Sequence, residues 1–251
     1  MLNKTEAVVL KTLNHGDTSK IITLYSKDTG KLKLIAKGVR SPKSKAAGLF
    51  QPTRHLQVVY YEKQRSELQL FKSGELISGF FGLEGDFDRL TLSQVMVELL
   101  DRATEDEELH ESIFLLVTDD LRHLSEKAYP PASVYWHFHL HLLRELGYRP
   151  NLSHCSSCNA ELKGGGSLGR SSSHLECAAC HLPSPDSIFV SDNTIALINQ
   201  ILDEPEKTKN DLDLAPKERR SLWNFLWRYT FYHIESTRGM RSLKVLNQLY
   251  S

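Results

Sequence analysis

Long apolar runs and cysteines are both scarce in this sequence. No hydrophobic stretch approaches the roughly 18 residues that a membrane-spanning helix needs, and residues 1–6 are not followed by the apolar core of a secretory signal. Only four cysteines occur in 251 residues, unlike the cysteine-dense composition of small secreted domains. Hydrophobic residues make up 40% and charged residues 25%, which is typical of a folded protein of one or two domains. We therefore expect a globular cytoplasmic protein with no membrane partner.

The four cysteines form two closely spaced C-x-x-C pairs with 18 residues between them: Cys155, Cys158, Cys177 and Cys180. Each C-x-x-C turn directs two thiolates at one ion, and two such turns complete a tetrahedron. The pattern predicts one structural zinc ion, because a four-thiolate shell leaves no open position for water or substrate. The nearby histidines are interpreted as exposed loop residues rather than ligands: His154, His174 and His181.

The segment around the cysteines has little material for a core of its own. Residues 164–166 are three glycines and residues 171–173 are three serines, which is typical of turns and loops. Metal binding would therefore hold this stretch folded. We assign residues 152–183 as an inserted zinc-binding module.

No motif of the sequence indicates a catalytic centre. A P-loop is absent, so ATP-driven chemistry is not expected. Sirtuin-like deacylases also carry two C-x-x-C pairs, but they need a glycine-rich loop after a strand, and residues 164–166 lie inside the cysteine module. A zinc deaminase would need H-x-E ahead of P-C-x-x-C, and neither cysteine pair follows a proline. We predict that the protein is not an enzyme and takes no nucleotide cofactor.

The net charge of zero hides a strong asymmetry along the chain. Residues 1–80 contain 14 Lys and Arg against 6 Asp and Glu, a net charge of +8. Residues 81–130 contain 4 against 13, a net charge of −9, and residues 216–251 contain 7 against 2, a net charge of +5. Basic ends that flank an acidic middle indicate a polyanion-binding surface beside a body with another use.

The first 80 residues read as five short strands without a helical period between them. The third strand alternates Lys31 and Lys33 with Leu32 and Leu34, the pattern of a strand with one solvated face. Five such strands in about 70 residues favour a small closed barrel of the OB type, although an SH3-like barrel has a similar strand count. We predict an OB-fold DNA-binding domain over residues 1–80.

A basic loop, residues 37–45, lies between the third and fourth strands. It combines four cations with a glycine and a proline, a composition suited to phosphate contacts. Candidate DNA-binding residues are the four cations of the loop and three lysines that extend the patch over the barrel: Lys37, Arg40, Lys43, Lys45, Lys20, Lys31 and Lys33. Candidate base-stacking aromatics, each also compatible with a core position, are Phe50, Tyr60 and Tyr61.

The remainder of the chain, residues 81–251, reads as a helical domain. Apolar residues at helical spacing predict two helices before residue 125, and Pro130-Pro131 precedes a third over residues 132–146. Ser191-Asp192 caps a helix that ends near Asp203, and Pro216 opens another. The fold class is therefore α+β, a five-stranded OB-fold barrel followed by an α-helical domain that carries the four-cysteine zinc module.

Two side-chain sets in the helical domain have open interpretations. His137 and His141 are four residues apart and share a helix face, but no carboxylate motif accompanies them, so we favour buried or interfacial histidines over a second metal site. The aromatic cluster near residues 223–232 is interpreted mainly as core. Its excess forms a candidate partner-binding surface with nearby arginines: Trp223, Trp227, Arg228 and Arg241.

Several motifs, in order along the chain, resemble those of the bacterial DNA repair protein RecO family. They are 16–21 (GDTSKI), 36–40 (AKGVR), 49–52 (LFQP), 146–150 (LGYRP) ahead of the first cysteine pair, and 241–246 (RSLKVL). The K-G-x-R element at 37–40 is the most specific of these. Asp17 stands where glutamate is common in the family, and Asn159 stands where a glycine often follows the cysteines. Both departures are mild.

The resemblance implies an activity and partners that the residues alone do not. It implies binding of single- and double-stranded DNA, annealing of complementary strands and a nucleoid-associated role in the RecFOR pathway. The partners it implies are RecR, the C-terminal tail of single-stranded DNA-binding protein and, indirectly, RecA. Carried onto this sequence, Lys37 and Arg40 become the leading DNA contacts. The alternative is a non-catalytic scaffold of a repair complex whose barrel binds protein instead of DNA.

Overall fold

The structure is a computed structural model of the 251-residue chain. It describes every residue except Lys45, residues 64–65, Glu107, residues 170–172, residues 204–213 and Ser251, together with the side chains of residues 247–250. The predicted DNA contact Lys45 therefore lies outside the described residues.

The N-terminal strands close into a barrel. Its strands are β1 (Leu2–His15), β2 (Ser19–Ser26), β3 (Gly30–Ala36), β4 (His55–Tyr61) and β5 (Leu68–Ser78). They follow the order β1-β2-β3-β5-β4, β4 also pairs with β1, and only the β3–β5 pair is parallel. This arrangement is OB-like, which confirms the predicted fold and decides against the SH3-like alternative.

Alternating side chains build the barrel core. Along β4, Leu56, Val58 and Tyr60 are buried while the residues between them are partly exposed, as expected for a strand with one face toward a core. The first strand differs, because four successive residues from Ala7 to Leu10 are all buried. There β1 also packs against helices, so both of its faces are covered.

Six α-helices are described outside the barrel: α1 (Phe87–Ala103), α2 (Glu111–Ser125), α3 (Pro131–Glu145), α4 (Asp192–Asp203), α5 (Pro216–His233) and α6 (Arg241–Tyr250). Short 3-10 turns precede α1 and α6, at Phe81–Leu83 and Glu235–Gly239. The helices start and stop close to the predicted signals: prolines open α3 and α5, and Gly147, with φ +82°, follows α3. In the part of the chain that is described, no helix is long and apolar enough to cross a membrane.

A small three-stranded sheet follows α3. Its strands are β6 (Gly166–Leu168), β7 (Leu175–Glu176) and β8 (Ile188–Val190), with β6 in the centre. Gly165 adopts φ +94°, and a β-carbon there would lie 2.4 Å from the carbonyl oxygen of Val190. Glycine is therefore required where this turn approaches β8.

By contacts between Cα atoms, the chain divides into two compact units. One comprises residues 1–127 and 240–246, and the other comprises residues 128–239 and 247–251. The barrel end near residue 80 was predicted as a domain boundary. The compact division falls later, because α1 and α2 pack against β1.

Candidate nucleic-acid interface and metal centre

The basic loop contacts the barrel through backbone and side-chain hydrogen bonds and through a buried valine. Val39 is buried in the barrel core, and the backbone N–H of Arg40 donates to the carbonyl oxygen of Thr18 at 2.9 Å. The Arg40 Nη1 donates to the carbonyl oxygen of Gly16 at 3.0 Å. Gly38 provides the positive φ of +70° that the turn requires. The loop is thereby held beside the β1–β2 turn with its cations outward.

The loop and β5 enclose a groove of about 390 Å³. Its lining residues are Lys37, Val39, Ser44, Ala46, Leu49, Phe71, Lys72, Ser73 and Gly74. Lysines stand at its rim and apolar side chains form its floor, where Phe71 packs edge-on against the buried ring of Phe50 at 5.0 Å. We call it the loop–β5 groove. Its chemistry, cationic at the edge and apolar at the base, suits an amphipathic polyanion.

Lys72 is a rim residue that sequence reasoning missed. Tyr60 pairs with Phe71 and Val59 pairs with Ser73, so Lys72 is the extra residue of a β-bulge. Bulges redirect side chains, and here the Lys72 ammonium lies 5.7 Å from the centroid of the Tyr61 ring, within cation–π range. The sequence of β5 alone does not reveal the bulge, because the bulge is defined by the pairing of β5 with β4.

The predicted loop cations are accessible. Lys37, Arg40 and Lys43 are exposed, and Lys20 on β2 is half-buried opposite Ala36. Among the residues that the structure describes, no carboxylate pairs with these four or with Lys72. The positive charge on this side of the barrel therefore remains available to a partner.

Lys31 and Lys33 do not extend the patch as expected. Lys31 is buried, and its Nζ donates to the carbonyl oxygens of Asp101 at 2.6 Å and of Thr104 at 2.5 Å. Lys33 pairs with the carboxylate of Asp106. Burial lowers the pKa of Lys31 despite the neighbouring Asp101, whereas the hydrogen bond to Asp106 raises the pKa of Lys33. Both lysines are bound by the last turn of α1 and the residues that follow it, and we remove them from the candidate interface.

The candidate base-stacking residues also divide into buried and exposed side chains. Phe50 and Tyr60 are 1% and 3% exposed and belong to the barrel core, which leaves no ring face for a base. Tyr61 is 42% exposed and stays a candidate stacking group. The difference between Tyr60 and Tyr61 follows from the alternation along β4, which turns successive side chains to opposite faces.

The four predicted metal ligands come together. Their Sγ atoms all lie within 4.8 Å of one another, and those of Cys158 and Cys177 are 3.8 Å apart. Four sulfurs at about 2.3 Å from a central ion lie about 3.8 Å apart, whereas a disulfide needs about 2.05 Å. The donor set and its spacing therefore fit a four-thiolate metal site, and no histidine or carboxylate of the described residues joins it.

Backbone amides support the thiolates. The N–H of Cys177 donates to the Sγ of Cys155 at 3.3 Å, which lowers the pKa of Cys155 to about 6. In the same cluster, hydrogen bonds with the thiols of Cys158 and Cys177 raise the pKa of Cys180 to about 12. Asn159, with φ +59°, closes the first turn by donating its N–H to the carbonyl oxygen of Cys155. A bound metal cation would stabilise the deprotonated cysteines further, because cysteine binds a metal as the thiolate.

The flanking histidines lie outside this cluster. His181 contacts Glu176 and Ser187 through its two ring nitrogens, at 3.3 and 2.8 Å. His154 Nδ1 and His174 Nδ1 each lie 2.9 Å from the hydroxyl of a neighbouring serine. Among the described residues, the four sulfurs are therefore the group that could hold a metal ion.

Comparison with known proteins covers both regions of the chain. Residues 1–80 match the family model "Recombination protein O N terminal", and residues 84–243 match "Recombination protein O C terminal". The chain belongs to the RecO family. The curated relative in Chlorobium limicola, named DNA repair protein RecO, is 28% identical over the full length of both chains. The one in Pelodictyon phaeoclathratiforme is 27% identical over 99% of each chain. The one in Salinibacter ruber is 33% identical over 59% of this chain and 56% of its own.

The two RecO matches divide the candidate sites between them. The N-terminal match contains the whole barrel with the basic loop and Lys72, and the C-terminal match contains the four cysteines and α5. The chain is thus a member of a family of DNA repair proteins. The exposed cations of the basic loop and Lys72 all lie within residues 1–80, which match the N-terminal model.

The predicted partner-binding residues lie on two helices of the region that matches the C-terminal model. On α5, Trp223 and Trp227 pack with ring centroids 5.8 Å apart, and Trp227 is only 5% exposed. The Nη1 of Arg228 donates to the carbonyl oxygen of Asp186 at 2.9 Å. Arg241, at the start of α6, is exposed and belongs to the other compact unit. A shared partner surface for these residues stays a prediction.

The alternating histidines of α3 are core residues. His139 is fully buried, with Tyr135 Oη at 3.1 Å from its Nδ1 and Thr230 Oγ1 at 2.7 Å from its Nε2. Burial lowers the pKa of His139 to about 3. The rings of His137 and His141 stack at 4.2 Å and are buried. No second metal cluster occurs within the described ranges.

Residues 165–169 spell G-x-S-x-G, the letters of a hydrolase nucleophile elbow. That elbow places its serine on a sharp turn from a strand to a helix. Ser167 instead lies in the middle of β6, between Glu176 of β7 and Phe189 of β8. The surrounding structure is therefore not that of a nucleophile elbow.

Proposed function

We propose that this chain is a non-catalytic DNA-binding mediator of recombinational repair in the RecFOR pathway. It binds single- and double-stranded DNA through the basic loop and anneals complementary strands. Together with RecR, it helps to load RecA onto strands coated by single-stranded DNA-binding protein. The family membership supports the repair role, and the accessible cations of the barrel support the DNA contact.

The observation that carries the proposal is the group of unpaired cations around the loop–β5 groove. Lys37, Arg40, Lys43 and Lys72 are exposed on one barrel, and no carboxylate among the described residues neutralises them. Phosphate contacts dominate DNA affinity and release condensed counterions. A surface of this kind binds DNA without regard to sequence, as a repair mediator requires.

The test is the salt dependence of DNA affinity. We expect Lys37→Glu with Arg40→Glu to weaken binding at least tenfold and to reduce the slope of log K against log salt by about 1.5 for single strands. Fluorescence anisotropy with a labelled oligonucleotide measures both. Lys163→Glu is the matched control, because Lys163 is exposed in the metal module and pairs with Glu161 at 3.1 Å. An unchanged slope in the double variant would remove the basic loop from the interface.

Strand annealing separates this function from the scaffold alternative. The chain should accelerate pairing of complementary strands in proportion to its concentration and without added nucleotide. Failure of the intact chain to bind DNA, with retained binding to RecR, would favour the scaffold.

We further propose that the metal is one structural zinc ion held by the four cysteines. Four thiolates in a closed tetrahedron suit zinc and leave no open position for catalysis. Elemental analysis of the purified chain should find about one zinc per chain. Substitution of Cys155 by serine should lower that ratio well below one.

The aromatic cluster of α5 is our candidate surface for the acidic C-terminal tail of single-stranded DNA-binding protein. Arg228 follows Trp227 on α5, and its Nη1 donates to the carbonyl oxygen of Asp186. Arg228→Glu should weaken binding of a tail peptide in calorimetric titration, and Lys163→Glu should not.

A further inference from the structure

We propose that the loop–β5 groove is a subsite for unstacked bases, which makes this barrel surface selective for single-stranded over duplex DNA. One base would lie on the partly buried apolar floor of Leu49 and Phe71, with its flanking phosphates at Lys37 and Lys72. The inference rests on the proposed DNA-binding function and adds to it the form of DNA that the groove recognises.

The first argument is the match between the groove and a nucleotide. A single strand presents flat apolar base faces next to charged phosphates, and the groove presents an apolar floor next to two ammonium groups. In a duplex the bases are paired and stacked, so only phosphates would reach the rim. Contact with the floor is therefore available to single strands alone.

The second argument is the Tyr61–Lys72 pair at the edge of the groove. Lys72, the bulge residue, lines the groove, and its ammonium lies 5.7 Å from the Tyr61 ring centroid. Tyr61 is 42% exposed. A phosphate that draws the ammonium away leaves the ring face free for a second base, since every base can stack on an aromatic face.

The third argument is that the lysines of β3 are not available to contact the phosphates of a DNA strand. Lys31 donates to carbonyl oxygens at the C-terminal end of α1, and Lys33 pairs with the carboxylate of Asp106. Other β-barrels of this type bind oligonucleotides on the β2–β3 face. Here that route offers no free cation at these two positions, whereas the loop–β5 side keeps its charge.

The test compares variants of the floor and ring with variants of the rim. We expect Leu49→Ala and Tyr61→Ala each to weaken single-strand binding by about tenfold, with duplex affinity and salt slope unchanged. Tyr61→Phe should retain the parental affinity, because it keeps the ring. Lys72→Gln should weaken both forms of DNA and lower the single-strand salt slope by about 0.7.

A fluorescent base analogue reports the contact directly. An oligonucleotide with one 2-aminopurine should change its emission on binding the parental chain, and Leu49→Ala should reduce that change. Thermal unfolding of each variant shows whether it is folded, and Tyr61→Ala, at a partly exposed position, keeps the test valid if Leu49→Ala is not.

The outcomes distinguish this inference from the proposed function. If Lys37→Glu with Arg40→Glu abolishes binding while Leu49→Ala and Tyr61→Ala change nothing, the DNA surface stands and the base subsite is overturned. Equal losses for single strands and duplex also overturn it. An acidic apolar peptide that binds the groove, depends on Leu49 and leaves the aminopurine signal unaltered would show that the groove is a protein site.

Discussion

Two sides of the barrel carry lysines in very different situations. On one side, Lys11 and Lys31 meet Asp101, and Lys33 meets Asp106. On the other side, Lys37 and Lys72 face solvent around the loop–β5 groove. Lysines only four positions apart in sequence, such as Lys33 and Lys37, therefore have different roles. Lys33 forms an ion pair within the protein, and Lys37 is exposed to solvent.

The difference shows how the chain uses its charge asymmetry. Part of the positive charge of the front end is consumed by the acidic middle segment, which packs against the barrel within one compact unit. What remains is concentrated on the loop–β5 side. In this chain, the surplus of lysines in the first 80 residues therefore overstates the area of the candidate nucleic-acid interface.

Metal removal should have the largest effect and should leave both barrel sides unchanged. Chelation, or Cys155→Ser, should unfold the cysteine module, because metal binding supplies much of the folding free energy of small metal modules. Hydrogen exchange should increase over residues 152–183. Salt-dependent DNA affinity should persist in the remaining folded protein. Loss of the salt slope together with the metal would mean that the DNA surface extends beyond the barrel.

Lys31→Met tests the side of the barrel on which lysines contact Asp101 and Asp106. The substitution removes the donor to the carbonyl oxygens of Asp101 and Thr104, and it leaves Lys11 as the partner of the buried Asp101 carboxylate. We expect the free energy of unfolding in urea to fall by about 2 kcal/mol. Lys37→Met, on the exposed side, should change it by less than about 0.5 kcal/mol. Equal effects would contradict the distinction between the two sides.

Acidification should lower the stability of the unit that holds α3. Burial depresses the pKa of His139 in the folded state, so the unfolded state binds a proton first as the pH falls. The stability is complete above pH 6.5 and decreases by about 1.4 kcal/mol per pH unit below it, down to a folded pKa of about 3. His139→Gln should flatten this dependence in urea titrations. Unchanged pH dependence in this variant would refute the assignment.

The smallest effect is expected from a matched pair of neutral substitutions. Lys37→Gln should lower the single-strand salt slope by about 0.7, because it removes one phosphate contact. Lys33→Gln should leave the slope unchanged, because Lys33 already pairs with Asp106. Anisotropy titrations at several salt concentrations measure both variants. A lowered slope for Lys33→Gln would show that DNA displaces the acidic segment.

Much of the fold follows from local patterns. Five strands were predicted in the first 80 residues and form the barrel, and the prolines at the starts of α3 and α5 predict where those helices begin. Features with no local signal were not predicted. The bulge at Lys72 depends on its register against β4, and the burial of Lys31 depends on carbonyl oxygens some 70 residues further along the chain.

The sequence by itself determined the candidate metal ligands and the basic loop. Two C-x-x-C turns place their sulfurs through local geometry, and a loop of lysines, glycine and proline has no use in a core. The tertiary structure alone decided which lysines remain free, which aromatic rings are exposed and where a groove forms. These properties depend on pairing between distant segments, because a charge or a ring face is available only where no other part of the chain covers it.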